Sequence, residues 1–381
     1  MILPPGSQNA HQEQKNRGDD GRGGRLFVGL VVFGLLFGGI MMGPKLHLSR
    51  SGIGPFNFDL AVPTVVVRHA AVAEPARSSA PTHLALWLDY TPWAAHIPIF
   101  VAETKGYFRQ EGLDVSARYP ANLTDPIKLV PAQSNTIGIG YMSDVVTAEG
   151  QGIPVESIGA LVQHHLNCIM TLKSSGITSP RQLAGKSIGA ADTPADSVIL
   201  DTVFKHAGVT GEVRRVNVNY DYVPGLVDHR VDAIEGAYQV WEKIMIQQLG
   251  HKVNVIQLQN WGVPDEYELV FLASHSMIKD EPAVLSRFMK ALTLGEKFAV
   301  AHPAEAENIF LNDNPDDKNP SDESLVRQSW HLLIPFVQPK HGMFGIQSAQ
   351  RWRSLASWMH QNHLVPKVIP NSSLFTNRFL P

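Results

Sequence analysis

The chain has 381 residues, 44% hydrophobic and 18% charged, with a formal net charge of −3. That length accommodates two lobes plus an extension, and the near-neutral balance gives no electrostatic footprint for a nucleic-acid partner. The one cysteine, Cys168, excludes an intrachain disulfide and a cysteine-based metal cluster, and cysteine avoidance fits an exported protein.

Residues 1–24 are polar and Gly-rich and read as disordered. Arg25 is followed by an apolar run from Leu26 to Met42. That run is near the lower limit of ~17–25 residues for a membrane span and longer than the ~7–15-residue core of a signal peptide. Residues 25–43 are therefore expected to form an uncleaved membrane anchor, with a long signal peptide as the alternative. No cysteine just after the run offers a lipid attachment site. Lys15, Arg17, Arg22 and Arg25 favour a cytoplasmic N-terminus, which leaves the rest outside the inner membrane, in the periplasm. Residues 44–82 mix Pro, Ser, Ala and Arg and read as a linker.

From His83 onward strand and helix signals alternate. Leu84–Leu88 reads as a strand, and Pro98 sits in the first turn of a helix that ends before Gly112. Val115–Arg118 is a second strand. Asp125-Pro126 opens a helix that Pro131 should kink. Ile137–Tyr141 is a strand leading into a helix at Ser143-Asp144, and Val155–Val162 and Cys168–Leu172 are strands. A second series follows: a short helix from Ser179-Pro180, a strand at Ser187–Ala190, a helix opened by Thr193-Pro194, and a strand at Val213–Val218. Next come a helix from Pro224, a strand at Val231–Glu235, a helix at Gln239–Leu249 and strands at Val253–Leu258 and Tyr267–Ala273. From Glu281 the pattern is mainly helical. Alternating β and α units argue for an α/β fold of parallel-rich sheets covered by helices. Two series suggest two lobes, the first at 83–172 plus 268–381 and the second, inserted, at 173–267.

There is no GxSxG, HExxH or Walker A motif, and Gly138-Ile-Gly140 lacks the third glycine of a dinucleotide fingerprint. His164 and His165 are adjacent, so on a strand they point apart and do not share a metal. Catalytic residues, metals and cofactors are not expected.

Four segments each follow a strand and lead toward a helix: Asp89–His96, Tyr141–Asp144, Ala191–Asp196 and Glu235–Tyr238. In a two-lobed α/β protein such loops converge on the cleft. Their content is aromatic faces plus carboxylates, without Arg or Lys. That suits a flat, neutral or cationic ring that donates hydrogen bonds: aromatics stack on it and carboxylates accept from its amino groups. It suits sulfonate, nitrate or phosphate poorly, since those call for basic groups or free helix N-termini. The candidates are Asp89, Tyr90, Trp93, His96, Tyr141, Ser143, Asp192, Thr193, Pro194, Glu235 and Tyr238. Each has a plainer alternative. Tyr90 and Trp93 read equally as packing aromatics, and His96, Asp192, Thr193 and Asp144 as helix-terminal groups. Glu235 ends an otherwise apolar strand, where a carboxylate is costly without a partner.

The stretch from Ala95 to Asp114 (AHIPIFVAETKGYFRQEGLD) resembles the opening of the thiamine-pyrimidine family. That family includes ThiY-type substrate-binding proteins of ABC importers, SsuA/ThiY-like in fold, and the fungal hydroxymethylpyrimidine phosphate synthases. Gly152–Val155, Ser175–Pro180, Leu183–Lys186, Val231–Ile234 and Gly262–Val270 fit it too, so the resemblance spans roughly residues 83–365. It implies a periplasmic-binding-protein fold of the second type, whose lobes close on a thiamine-precursor pyrimidine such as formylaminopyrimidine. It also implies an ABC permease and ATPase as partners. By the same resemblance the pocket comprises Asp89, Trp93, Tyr141, the Asp192–Pro194 turn, Glu235 and Tyr238. The synthases carry a cysteine-rich segment before the return strand, and here Asp265–Phe271 has none. They also use a lysine and a reacting histidine at the positions of Gly140 and Asp144, so the resemblance implies a binding protein rather than an enzyme. The alternatives are synthase-type activity, or binding of a sulfonate, nitrate or aromatic acid on the same scaffold.

Overall fold

A computed structural model of the chain describes residues 80–122, 124–314, 320–339 and 342–381. The expected disordered N-terminus, the anchor at 25–43 and almost all of the linker lie outside the described residues. Among the described residues no helix is long and apolar enough to cross a membrane.

Two mixed five-stranded sheets organise the chain. The first has the order β2-β1-β3-β10-β4, from Leu113–Arg118, Thr82–Trp87, Thr136–Gly140, Leu269–Ser274 and Val155–Val162. β1 runs parallel to β2 and β3, and β10 runs antiparallel to β3 and β4. The second sheet has the order β7-β6-β8-β5-β9, from Arg214–Asn217, Ser187–Ala190, Ala233–Tyr238, Asn167–Leu172 and Val253–Gln257. It repeats the pattern, with β6 parallel to β7 and β8, and β5 antiparallel to β8 and β9.

Helices cover both faces of each sheet. Around the first sheet are α1 (Ile97–Thr104), α2 (Tyr107–Gln110), α3 (Asp125–Ala132) and α4 (Met142–Gly150). In the second lobe are α5 (Pro194–Ala207), α6 (Tyr222–Val227) and α7 (Glu242–Gln248). The C-terminal region adds α8 (His275–Asp280), α9 (Pro282–Ala301), α10 (Pro303–Asp313), α11 (Pro320–Val337) and α12 (Ala349–Gln361). The two-residue period of β10 explains the layering. Leu269 and Phe271 face the core built with α1, α9, α10 and α11, while Val270 and Leu272 face the one built with α4 and α12. In the second lobe Cys168 and Met170 lie in one layer and Ile169 in the other. Burial on both faces is why these strands read as continuous apolar runs.

Two expectations are corrected here. Strand β5, expected in the first lobe, sits between β8 and β9 in the second sheet, so the chain changes lobe at 163–166 rather than at 172. An apolar run reports burial, not which sheet it joins. The segment Glu235–Tyr238, expected as a loop after a strand, is itself the C-terminal part of β8, paired with Ile169, Cys168 and Asn167. Gly236 adopts φ +100° there, beside the register shift at Cys168/Ile169. The strand therefore carries Glu235 mid-length, and α7 begins only at Glu242.

Candidate functional site

The chain passes between lobes twice, from β4 to β5 and from β9 to β10. A cavity of about 60 Å³ lies beside these crossovers. Tyr141 and Ser143 at the start of α4 and Leu355, Trp358, Met359 and Leu364 in and after α12 line its first-lobe side. Ala195, Asp196 and Ile199 of α5 and Gly236 and Tyr238 of β8 line the second-lobe side. His165, Asn167, Val263, Glu266 and Glu268 come from or adjoin the crossovers. The lining holds no lysine or arginine.

Each lobe contributes an aromatic residue to the other. Tyr238, Val240 and Trp241 follow or end β8 in the second lobe but pack against the core of the first. There the Tyr238 and Trp241 rings lie 6.0 and 6.1 Å from that of Trp93. Trp358 belongs to α12, yet it packs against a second-lobe cluster that includes Ile188, Leu200 and Val263. Its indole Nε1 is buried without a hydrogen-bond partner.

Glu235 is fully buried beside this cavity. Asn167 Nδ2 donates to its Oε1 at 3.0 Å, and Oε2 has no partner. Burial is the main cause that pushes this carboxyl up to about 8; the nearby Asp196 carboxylate adds to it, and Asn167 and His165 oppose it. The other arm of Asn167 accepts from the Gly236 N–H at 3.0 Å, so one amide fixes both the carboxyl and the bend of the strand. Asp196 closes a reciprocal cap at the head of α5: Thr193 N donates to Asp196 Oδ2 at 2.9 Å and Asp196 N to Thr193 Oγ1 at 3.1 Å.

The crossovers are cross-linked by charge. His165 Nε2 lies 3.3 Å from Glu266 Oε1, and its Nδ1 lies 3.4 Å from Glu268 Oε2. Burial alone would push the imidazole down, but the carboxylates of Glu266, Glu268 and Asp265 together outweigh it and hold His165 up at about 9. Glu268 experiences the reverse. Burial raises it, but His165, the Leu166 N–H at 2.7 Å and the Tyr238 hydroxyl leave it below the usual carboxylate range. Alongside, His164 Nδ1 is 2.7 Å from Asp265 Oδ2, which also meets Arg351 of α12 at 3.0 Å.

The residues singled out from the sequence divide into four groups. Tyr141, Ser143 and Tyr238 line the cavity. Glu235 and Thr193 stand directly behind lining residues. Asp89, Trp93 and His96 form a buried knot behind Tyr238: Asp89 Oδ1 lies 2.7 Å from His96 Nε2, and the Trp93 N–H donates to His96 Nδ1 at 3.2 Å. They do not line the cavity, because the Tyr238 and Trp241 rings cover Trp93. Tyr90 is 55% exposed, and Asp192 (φ +61°) and Pro194 are exposed in the turn before α5. Sequence reasoning missed His165, Asn167, Glu266, Glu268 and Trp358. The one available signal was the run of three acids, Asp265, Glu266 and Glu268, in a crossover, matched by the His164-His165 doublet in the other.

Comparison with known proteins supplies the rest. The family model described as NMT1/THI5 like matches residues 93–306. A formylaminopyrimidine-binding protein of Halalkalibacterium halodurans is 30% identical over 76% of this chain and 88% of its own length. A 4-amino-5-hydroxymethyl-2-methylpyrimidine phosphate synthase of Candida albicans is 27% identical over 75% of this chain and 84% of its own. In structure the chain is similar to the periplasmic aliphatic sulphonate binding protein SsuA of Escherichia coli. That match has a TM-score of 0.59 and 12% identity, covering 77% and 91% of the two chains. The two sheets therefore have the periplasmic-binding-protein fold, and the chain belongs to the NMT1/THI5-like family.

Proposed function

We propose that this protein is the solute-binding component of an ABC importer and takes a thiamine-precursor pyrimidine, of formylaminopyrimidine or hydroxymethylpyrimidine type, between its lobes. The observation that carries the reading is Glu235, a fully buried carboxyl with one unpartnered oxygen beside a cavity lined by tyrosines and acids. An amino group on a flat ring satisfies that oxygen, and Tyr141, Tyr238 and Trp358 supply surfaces for the ring. The 30% identity to a formylaminopyrimidine-binding protein supports the same ligand class. A sulfonate or nitrate fits poorly, since the one cationic side chain in the lining, His165, is already shared by Glu266 and Glu268.

Binding needs no chemistry. The ligand stabilises the closed arrangement by touching both lobes. In this reading the protein works in the periplasm, delivers its ligand to a permease and ATPase, and is tethered by residues 25–43.

Calorimetric titration tests the ligand. Formylaminopyrimidine or hydroxymethylpyrimidine should bind with 1:1 stoichiometry, while alkanesulfonates give no heat. Binding of a sulfonate and of no pyrimidine overturns the assignment.

A further inference from the structure

The two crossovers and the two lobes share one chain of polar contacts. It starts at His165 in the first crossover, whose imidazole lies between Glu266 and Glu268 of the second. Glu268 accepts from the Leu166 N–H at 2.7 Å, which fixes its position. The Tyr238 hydroxyl of the second lobe meets both the Glu268 carboxylate and, at 3.4 Å, the Tyr141 hydroxyl of the first. Tyr141 and Tyr238 line the cleft from opposite lobes.

We propose that His165 is a positioning residue for cleft closure: it orients Glu268, which orients the Tyr238 hydroxyl, and the Tyr238–Tyr141 contact is the latch that the lobes break on opening. The 3.4 Å separation makes that contact weak. A weak contact is what a reversible latch requires, since a strong one would trap the ligand. The order of the chain follows from the charges. With His165 protonated, Glu268 is an anion and a strong acceptor for a phenol. With His165 neutral, Glu266 and Glu268 repel at close range, and one takes up a proton or moves. Tyr238 then loses its fixed partner.

The groups facing His165 are consistent with it carrying the charge. Asp265, Glu266 and Glu268 face it from the second crossover and Glu235 from β8. Beyond them, Tyr238 binds Glu268, Asp144 of α4 acts on Glu266, and Arg351 of α12 and the neighbouring His164 hold Asp265. Acids outnumber cations here, and the imidazole retains its proton up to about pH 9.

The inference rests on reading the cleft as a binding site that opens and closes, but not on the identity of the ligand. It can therefore be tested without one. Tyr119 in the first lobe and Tyr220 in the second are 62% and 40% exposed, and neither lines the cavity. Spin labels on Tyr119→Cys and Tyr220→Cys report the lobe separation in ligand-free protein, and the buried Cys168 does not compete for label. At pH 7 the closed distance should dominate. Adding His165→Gln or Tyr141→Phe should raise the ratio of open to closed by about 2- to 10-fold, the effect of losing one modest hydrogen bond. Raising the unsubstituted protein from pH 7 to pH 10 should do the same, and that shift should disappear in His165→Gln. A purely structural His165 would lower the melting temperature while leaving the distances unchanged, and that result overturns the proposal. If His165→Gln does not fold, Tyr141→Phe decides alone, and unchanged distances in it also overturn the proposal. Failure of pyrimidines to bind leaves this proposal standing and removes only the ligand assignment.

Discussion

Asn167 and Glu235 lie on neighbouring strands of the second sheet, and the side-chain amide of the first satisfies only one oxygen of the second, at 3.0 Å. The other oxygen is buried without a partner. A buried acceptor left unmade costs about 1–3 kcal/mol. In the proposed reading a ligand amino group would recover that cost, and a charge-assisted bond to it would contribute about 1.5–3 kcal/mol.

Glu235→Gln therefore separates fold from binding. With the carboxyl held up at about 8, Glu235 is mostly protonated at pH 7 in the ligand-free protein, and glutamine is a close mimic of that form. The melting temperature at pH 7 should change little. Ligand affinity should fall by about 10- to 100-fold, because an amide cannot become the anion that an amino group favours. Calorimetric titration of both forms is the measurement, and unchanged affinity would remove Glu235 from the site.

The stability of the protein should fall between neutral and alkaline pH, and His165 sets the window. Its folded value of about 9 lies above the ~6.5 of an exposed histidine. The folded state therefore binds the proton more tightly, and the stabilising contribution is complete below pH ~6.5 and is lost as pH rises through 9. Glu235 acts in the same direction at lower pH. Its value is raised from 4.5 to about 8, so the cost of ionising it grows across that interval. Urea unfolding midpoints at pH 6.5, 7.5 and 9 should decline in the unsubstituted protein. In His165→Gln the decline above pH 8 should flatten. That variant should also be less stable overall, by about 3–5 kcal/mol, because Glu266 and Glu268 lose their buried partner.

A third prediction concerns the packing behind the site. A Cβ on Gly295 in α9 would lie 2.3 Å from the Pro98 carbonyl oxygen and 2.9 Å from Ala102 Cβ in α1. Backbone cannot yield as a flexible side chain does, so Gly295→Ala must force the helices apart. The expected loss is about 2–4 kcal/mol, at or above the upper end for overpacking. α1 follows the Asp89–His96 knot that supports Tyr238, so ligand affinity should drop with stability. Chemical denaturation reads the first effect. A variant as stable as the parent would mean that the helices separate at no cost.

What the sequence made legible follows from how local each signal is. Thr193-Pro194 announced α5 because cap, fixed proline φ and reciprocal hydrogen bonds with Asp196 all lie within four residues. Tyr141, Ser143 and Tyr238 stood out as polar or aromatic groups near strand ends, which is where the cavity lies. The His165 pairings, by contrast, join residues about a hundred positions apart, and nothing near His165 indicates that Glu268 will face it. For Trp93, local patterning identified an aromatic residue beside the cleft, yet its exposure depended on where Tyr238 and Trp241 would dock from the other lobe. β8 ran past its expected end because pairing with Asn167 and Cys168 extends it despite Gly236. Tertiary partners decided each of these cases.

Trp358 illustrates the same limit and yields the last prediction. It lies near the C-terminus of α12, about 120 residues from β8, in a helix that reads from sequence as ordinary amphipathic cover. In the structure its ring spans the lobes, lines the cavity and presents a buried N–H without an acceptor. The two roles of the side chain predict different outcomes for different substitutions. Trp358→Phe keeps a ring and removes the unmade donor, so stability without ligand should hold or rise by up to about 1 kcal/mol. If a ligand carbonyl or ring nitrogen accepts from that N–H, affinity should fall by about 10-fold in the same variant. Trp358→Ala also removes the wall between the lobes and should lower both stability and affinity, the stability by roughly 2–4 kcal/mol. Thermal melts and titrations of the pair separate the roles. Equal affinity for the parent and Trp358→Phe would reduce Trp358 to a packing residue, while a selective loss in Trp358→Phe makes its indole nitrogen the donor that complements the acceptor Glu235.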